Sequence, residues 1–184
     1  MLQALRDATS VQHRDVETLL PASWSTLGRD GYGAYLARVA GFHLPVEASV
    51  FAAQDWSALG LPEAAARPRA PLLRADLAAL GIDAAALPRA TALPDVRGLG
   101  RALGALYVLE GSTLGGQVLA REVSRGAAGV PTAFLHGAGE ATGPRWTSFG
   151  RFAEQLAAGQ PGVAADALAA ARETFAALAA WLRR

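Results

Sequence analysis

Three histidines, three tyrosines and no cysteine bound the chemistry open to this chain of 184 residues. Without a thiol there is no disulfide, cysteine zinc site, iron-sulfur cluster or thiol nucleophile, so a metal must be held by histidine, carboxylate or tyrosine. His13 has the most informative neighbours. It stands on a helix whose apolar face is marked by Leu2, Leu5, Thr9, Val16 and Leu20, a spacing that predicts an imidazole turned into the core. The ordinary reading of a lone histidine there is a buried side chain hydrogen-bonded to a neighbour. Glu17, one turn later, adds another: its carboxylate can accept the proton of the ring nitrogen that faces away from a metal, fixing the tautomer and raising the basicity of the other nitrogen. Arg6 lies two turns before His13, about 10 Å away at a rise of about 1.5 Å per residue, which suits an anionic edge of a ligand centred on His13.

The second pattern is the run Tyr-Val-Leu-Glu-Gly-Ser-Thr-Leu-Gly-Gly-Gln from Tyr107 to Gln117. It sets Gly111, Gly115 and Gly116 in a stretch that otherwise prefers a buried helix. Each interior glycine costs roughly 1 kcal/mol against alanine, about 3 kcal/mol together, unless something flat must lie against bare backbone. A flat ligand with a metal at its centre and acids on one edge is haem. With Met1 the only methionine, its axial ligand is restricted to His13, His43, His136 or a tyrosine. His43, between Phe42 and Leu44-Pro45, reads as a core or helix-kink residue, and His136, beside Gly137, as exposed. Glu110 reads first as a solvated helix residue and second as part of a network at the kink. Arg151 reads as a surface arginine, and Trp146, Phe149 and Phe152 as core or pocket wall.

These residues must be positioned by helices. The first is stopped by Pro21; a second is expected from Asp30 to Gln54, with Tyr32, Tyr35, Leu36, Val39, Phe42, Val46, Val50 and Phe51 inward and a bend at Pro45. Residues 55–98, with Pro62, Pro68, Pro71, Pro88 and Pro94, read as a connector with short helices such as Leu72 to Leu80 and no second core. From Val96 periodicity continues through the glycines to Val123, predicting one long helix kinked near Gly111 and ended by Gly126 and Gly129. Residues 130–144 read as a loop, followed by helices around Trp146 to Leu156 and from Ala164 to Leu182. No alternating Val, Ile and Thr run demands a strand, and no repeat is present, so the class is all-α in one domain spanning residues 1–184.

Composition removes other classes. Hydrophobic residues make up 52% and charged residues 18%, enough for a buried core and against disorder. The 17 basic residues, all arginine, are scattered among 16 acids for a net charge of +1, which favours no nucleic-acid partner. No apolar run reaches the length of a membrane span and no secretory pattern opens the chain, so a cytoplasmic protein is expected.

The run Leu5-Arg6-Asp7-Ala8-Thr9 through His13 and Glu17 resembles the first-helix signature of haem oxygenases, and Tyr107 to Gln117 resembles their distal-helix motif. Phe134-Leu135-His136-Gly137 and Arg145-Trp146-Thr147-Ser148-Phe149 are similar to the bacterial branch, which includes enzymes supplying biliverdin to phytochromes. The resemblance implies a helical bundle with haem between the first helix and the kinked glycine helix. It implies His13 as proximal iron ligand, Glu17 as its hydrogen-bond partner and Arg6 and Tyr107 as propionate contacts, with Gly111, Ser112, Gly115 and Gly116 lining the catalytic distal face. It further implies cleavage of haem by oxygen to biliverdin, carbon monoxide and ferrous iron. Electrons would come from an external donor such as ferredoxin or an NADPH-dependent reductase, and a bacteriophytochrome is a candidate acceptor of the product. Many animal members carry an aspartate where Ser112 stands, so proton delivery must pass to Ser112, backbone groups or another side chain. Two other readings share the bundle: a non-catalytic haem carrier or sensor, and a protein acting on another small molecule, such as a thiamine or quinone precursor, with glycines serving only helix packing.

Overall fold

A computed structural model describes residues 1–184 as helices joined by turns, with no strand. The α-helices are α1 (Leu2–Glu17), α2 (Gly28–Ala53), α3 (Ala70–Ala79), α4 (Leu99–Gly111), α5 (Gly116–Gly126), α6 (Ala133–His136), α7 (Thr142–Gly159) and α8 (Val163–Leu182), with single 3-10 turns at Ala64–Ala66 and Gly139–Ala141. None is long and apolar enough to cross a membrane.

Helix α4 is the axis. Every residue from Ala102 to Glu110 is buried, as a helix apolar on all sides requires, and α2, α7 and α8 pack around it. Gly100 and Gly104, one turn apart, bring α8 in: a Cβ on Gly104 would lie 2.3 Å from the Ala167 carbonyl oxygen, so backbone packing offsets the glycine penalty. Helix α8 packs on α1 with its other side, where Arg172 Nε donates to the Ala8 carbonyl at 2.8 Å and Arg183 pairs with Asp15 at 2.5 Å.

The expected second helix is present with its inward residues buried or half-buried, and it runs unbroken past Pro45. Proline strips the carbonyl of Gly41 of its helical donor. The Ala90 amide takes that place at 2.8 Å, so the connector repairs the helix it crosses.

Two apolar clusters result. The larger has 25 buried residues, among them Leu5, Phe42, Leu103, Leu106, Phe149 and Phe175, each large side chain stabilising by roughly 1.5–3 kcal/mol. The smaller, with Tyr32, Leu36, Leu73, Leu77, Val123 and Phe134, lies among α2, α3, α5 and α6. It corrects the reading of residues 55–98 as a connector without a core. Pro71 falls in the first turn of α3, where its missing N–H costs nothing, and Leu73 and Leu77 are then fully buried.

The expected kinked helix is α4 and α5 separated at residues 112–115. There the helical ladder tightens to bonds three residues apart: Thr113 N–H to the Glu110 carbonyl at 3.1 Å, Leu114 to Gly111 at 3.2 Å and Gly116 to Thr113 at 3.1 Å. Gly111 and Gly116 therefore end and start helices, and the full interior penalty does not apply. The expected loop at 130–144 holds α6, which is capped from another helix: buried Asp76 of α3 accepts the amides of Ala133 at 3.1 Å and Phe134 at 2.8 Å.

Candidate functional site

Leu5, Thr9 and Val16 carry α1 into the core, but His13 lies about 60° round the helix from their common line. Its side chain is 56% exposed, which corrects the expected core placement; the stripe's flank, not its centre, faces out. One edge of the ring packs on Phe175 of α8 at 5.5 Å, and Nδ1 lies 3.3 Å from Glu17 Oε1. That leaves Nε2 facing away from the carboxylate. Arg6 is exposed on the same flank, two turns earlier.

The other two histidines are engaged elsewhere, and the tyrosines are buried or half-buried. His43 is 6% exposed, bonded through Nε2 to Glu47 at 2.9 Å and edge-on to Phe134, as a core residue should be. Tyr32 is fully buried and Tyr107 is 8% exposed. His136 is exposed on α6 and donates Nδ1–H to the Thr132 carbonyl of its own turn at 2.9 Å. No three histidine, aspartate or glutamate side chains gather as a metal cage.

At the break the four distal residues are unlike one another. A Cβ on Gly111 would meet only Trp146, at 3.7 Å, so that indole covers its bare backbone; Tyr107 tilts against the same indole at 5.8 Å. A Cβ on Gly115 would meet nothing within 4 Å. On Gly116 it would lie 2.1 Å from the Leu135 carbonyl oxygen, so this glycine seats α6 under α5 and does not face a ligand. Ser112 donates to the Leu109 carbonyl at 2.7 Å and accepts from Arg69 Nη2 at 2.5 Å. Leu114 and Val118, one turn apart, remain 45% and 52% exposed beside these groups.

Sequence reasoning missed what holds the break. Arg67 and Arg69, on either side of Pro68, reach into the end of α4. Arg67 Nη1 pairs with Glu110 at 2.6 Å and its Nη2 donates to Ser148 Oγ at 3.0 Å; Arg69 Nη2 also donates to the Leu109 carbonyl at 3.1 Å. Glu110 is thus a buried network residue and not a solvated one. Burial raises its pKa above the ordinary carboxylate value, against the lowering pull of Arg67, Arg69 and Arg145. Glu47 accepts the amides of Arg69 and Ala70, both at 2.7 Å, at the start of α3, and the Arg69 guanidinium stacks 4.6 Å over Phe134. The readable signal was Glu47 at i+4 from His43, the spacing of His13 and Glu17.

This network has a pH signature. Burial lowers the pKa of His43 below 6.5. Burial pulls Glu47 up, but the His43 hydrogen bond and the two amides outweigh it and leave its pKa below 4.5. Both groups bind protons more weakly folded than unfolded. The contribution of the His43–Glu47 pair is therefore full above about pH 6.5 and falls on acidification, first through the folded-state pKa of His43 and then, below 4.5, through that of Glu47, whereas Glu110, with its raised pKa, contributes in the opposite sense. Thermal melts across this range check the expectation, and His43→Gln, which keeps a donor to Glu47, should flatten the upper part of the profile. An unchanged slope would move the effect to other groups.

No protein-family model matches the chain, and no curated protein matches it. Among solved structures it matches the NO- and CO-bound haem oxygenase from Neisseria meningitidis with a TM-score of 0.74, over 98% of this chain and 89% of that one, at 21% identity. The chain has the haem oxygenase fold. The all-α reading holds over nearly its whole length, and this haem oxygenase fold is the one that the α1 and Tyr107–Gln117 motifs resemble. The residues present also fit haem. His13 is an accessible imidazole with one nitrogen beside a carboxylate and the other open, Arg6 is an exposed cation on its flank, and Gly115 offers backbone that no side chain covers.

Proposed function

We propose that the chain is a haem oxygenase, a haem-degrading monooxygenase that takes haem as substrate and cofactor and, with oxygen and external electrons, yields biliverdin, carbon monoxide and ferrous iron. The observation that carries this reading is the exposed His13–Glu17 pair on α1 of this fold, with the exposed Arg6 on the same flank. Haem supplies the iron that activates oxygen and the ring carbon that is oxidised. His13 would hold the iron through Nε2, while Glu17 accepts the Nδ1 proton, fixing the tautomer and raising the basicity of Nε2. Arg6 meets the propionate edge by charge and Tyr107 by its hydroxyl. Gly111, Ser112, Gly115 and Gly116 form the distal segment, in which Gly115 and Ser112 present surface. The Ser112 hydroxyl points its proton at the Leu109 carbonyl, so it holds the break and is not itself the acid. The electron donor in this reading is a ferredoxin or an NADPH-dependent reductase, the site of action is the cytoplasm, and a bacteriophytochrome accepts the product.

The test is to add haem to the purified protein, supply ascorbate or ferredoxin with its reductase, and follow the spectrum. Loss of the Soret band with growth of a broad red band is expected. A Soret band that survives identifies a carrier or sensor, and the lack of one rejects haem binding. Arg6→Ala is expected to weaken haem binding while keeping the axial-ligand spectrum; a changed axial spectrum would remove Arg6 from the edge.

A further inference from the structure

Where the end of α6 lies against α5 there is an open groove of about 310 Å³, lined by Ala120, Arg121, Ser124, Arg125 and His136. Ser124 lies about 180° round α5 from Gly115, at roughly 100° per residue, so the groove turns away from the open backbone of the break. Ala120 is fully buried beneath it. The other four bring two guanidinium groups, a hydroxyl and an imidazole, and no carboxylate is among them. Arg121 and Arg125 are both exposed and stand one turn apart, the spacing at which like charges on a helix repel. Arg125 has an ordinary role: it pairs with Glu122 of its own helix and, in the last turn, complements the helix end. Arg121 has neither role, since that pair is the only one on α5 and the helix end is more than a turn away. His136 is fixed in place. Its Nδ1–H donates to the Thr132 carbonyl at 2.9 Å, which leaves Nε2 for the groove, and α6 is held by the Asp76 cap and by its seat on Gly116.

We propose that the groove between α5 and α6 binds the phosphate group of a small molecule. The site stands apart from the haem oxygenase reading, because none of its lining residues is assigned to haem there. A carboxylate is satisfied by a single guanidinium fork. A phosphate group is tetrahedral, carries about two negative charges at neutral pH and accepts from several directions at once, which matches two arginines and a hydroxyl from α5 with an imidazole from α6. Bound there, it removes the repulsion between Arg121 and Arg125. It also competes with Glu122 for Arg125, and an exposed pair of that kind is weak enough to yield. The phosphate group fills only part of a groove that has the volume of a small-molecule site, so an organic body has room beside it. Orthophosphate and a phosphate ester share the chemistry of the head and differ in whether they use the rest of the groove. Contacts from two helices mean that binding also ties α6 to α5.

The test is a calorimetric titration of the purified chain with inorganic phosphate, ribose 5-phosphate and acetate, all at one ionic strength set with chloride. Saturable binding of both phosphates, much weaker binding of acetate and a melting temperature that rises with phosphate concentration are expected. Tighter binding of ribose 5-phosphate assigns the site to an ester, and tighter binding of inorganic phosphate assigns it to the free ion. Arg121→Ala should weaken phosphate binding by about tenfold, the loss of one charge-assisted contact, while melting in chloride at or slightly above the parent because the repulsion is gone. Arg121→Lys, which keeps the charge and loses the fork, should fall between the two. His136→Ala distinguishes a groove built from two helices from simple attraction to the arginines, and it should weaken binding several-fold. Absence of saturable binding at matched ionic strength overturns the proposal, as does parental affinity in either Arg121→Ala or His136→Ala.

Discussion

His13→Ala is expected to lose the histidine-ligated haem spectrum and ring oxidation while melting within about 0.5 kcal/mol of the parent, as substitutions at exposed positions do. The two halves of that result come from one fact: the imidazole is 56% exposed and makes a single edge contact with Phe175, so the fold loses little when it goes. The loss in haem affinity should exceed the roughly 10–100-fold that removal of a ligand's hydrogen-bond partner costs, because the ligand itself is gone. Exposure adds a sharper reading. Free imidazole can enter the space left on the flank of α1 and should return much of the Soret spectrum, which it could not do at a sealed core site. Glu17→Gln should fall between parent and His13→Ala. Haem titrations with and without imidazole check all three, and full affinity in His13→Ala would end the ligand assignment.

The contrast between His13 and His43 shows what a sequence does and does not reveal. Each has a glutamate one turn later, and the two pairs cannot be told apart by spacing. Burial separates them: His43 and Glu47 are enclosed by α3 and Phe134, whereas His13 and Glu17 lie on a flank that α8 only partly covers. Helical periodicity carried the class and the positions of α1, α2, α4, α7 and α8, because a face buried every third or fourth residue leaves a local mark. The clamp left none. Arg67 and Arg69 sit in a proline-rich stretch, and what makes them structural is the end of α4, 40 to 43 residues away in the chain. For the same reason Glu110 reads from the sequence first as solvated and only second as a network residue, since its partner is not on its own helix. A contact between distant segments has no periodicity, so only the assembled fold displays it.

The glycines of the break divide by the same logic, and their alanine variants are expected to move stability in opposite directions. At Gly115 the backbone is right-handed, with φ −81 and ψ −15, and open space lies where a Cβ would go. Alanine fits there without strain and restricts the unfolded chain, so Gly115→Ala should stabilise the apoprotein by about 0.4–1 kcal/mol. At Gly116 the added methyl meets the Leu135 carbonyl oxygen at 2.1 Å, a backbone atom that no rotamer change can move aside. Gly116→Ala must push α6 off α5, disturbing Phe134 and the stack of Arg69 above it, and should cost about 1–3 kcal/mol, the range for overpacked sites. At roughly 2–4 °C per kcal/mol for a chain of this size, the two melting temperatures lie on opposite sides of the parent. Haem reverses the ranking that stability alone would give. Only Gly115 offers bare backbone to a flat ligand, so the more stable variant should bind haem less well and turn it over more slowly. If Gly115→Ala binds and oxidises haem as the parent does, the open backbone at the break is not the distal wall, and the anomaly at 111–116 reduces to the seating of α6.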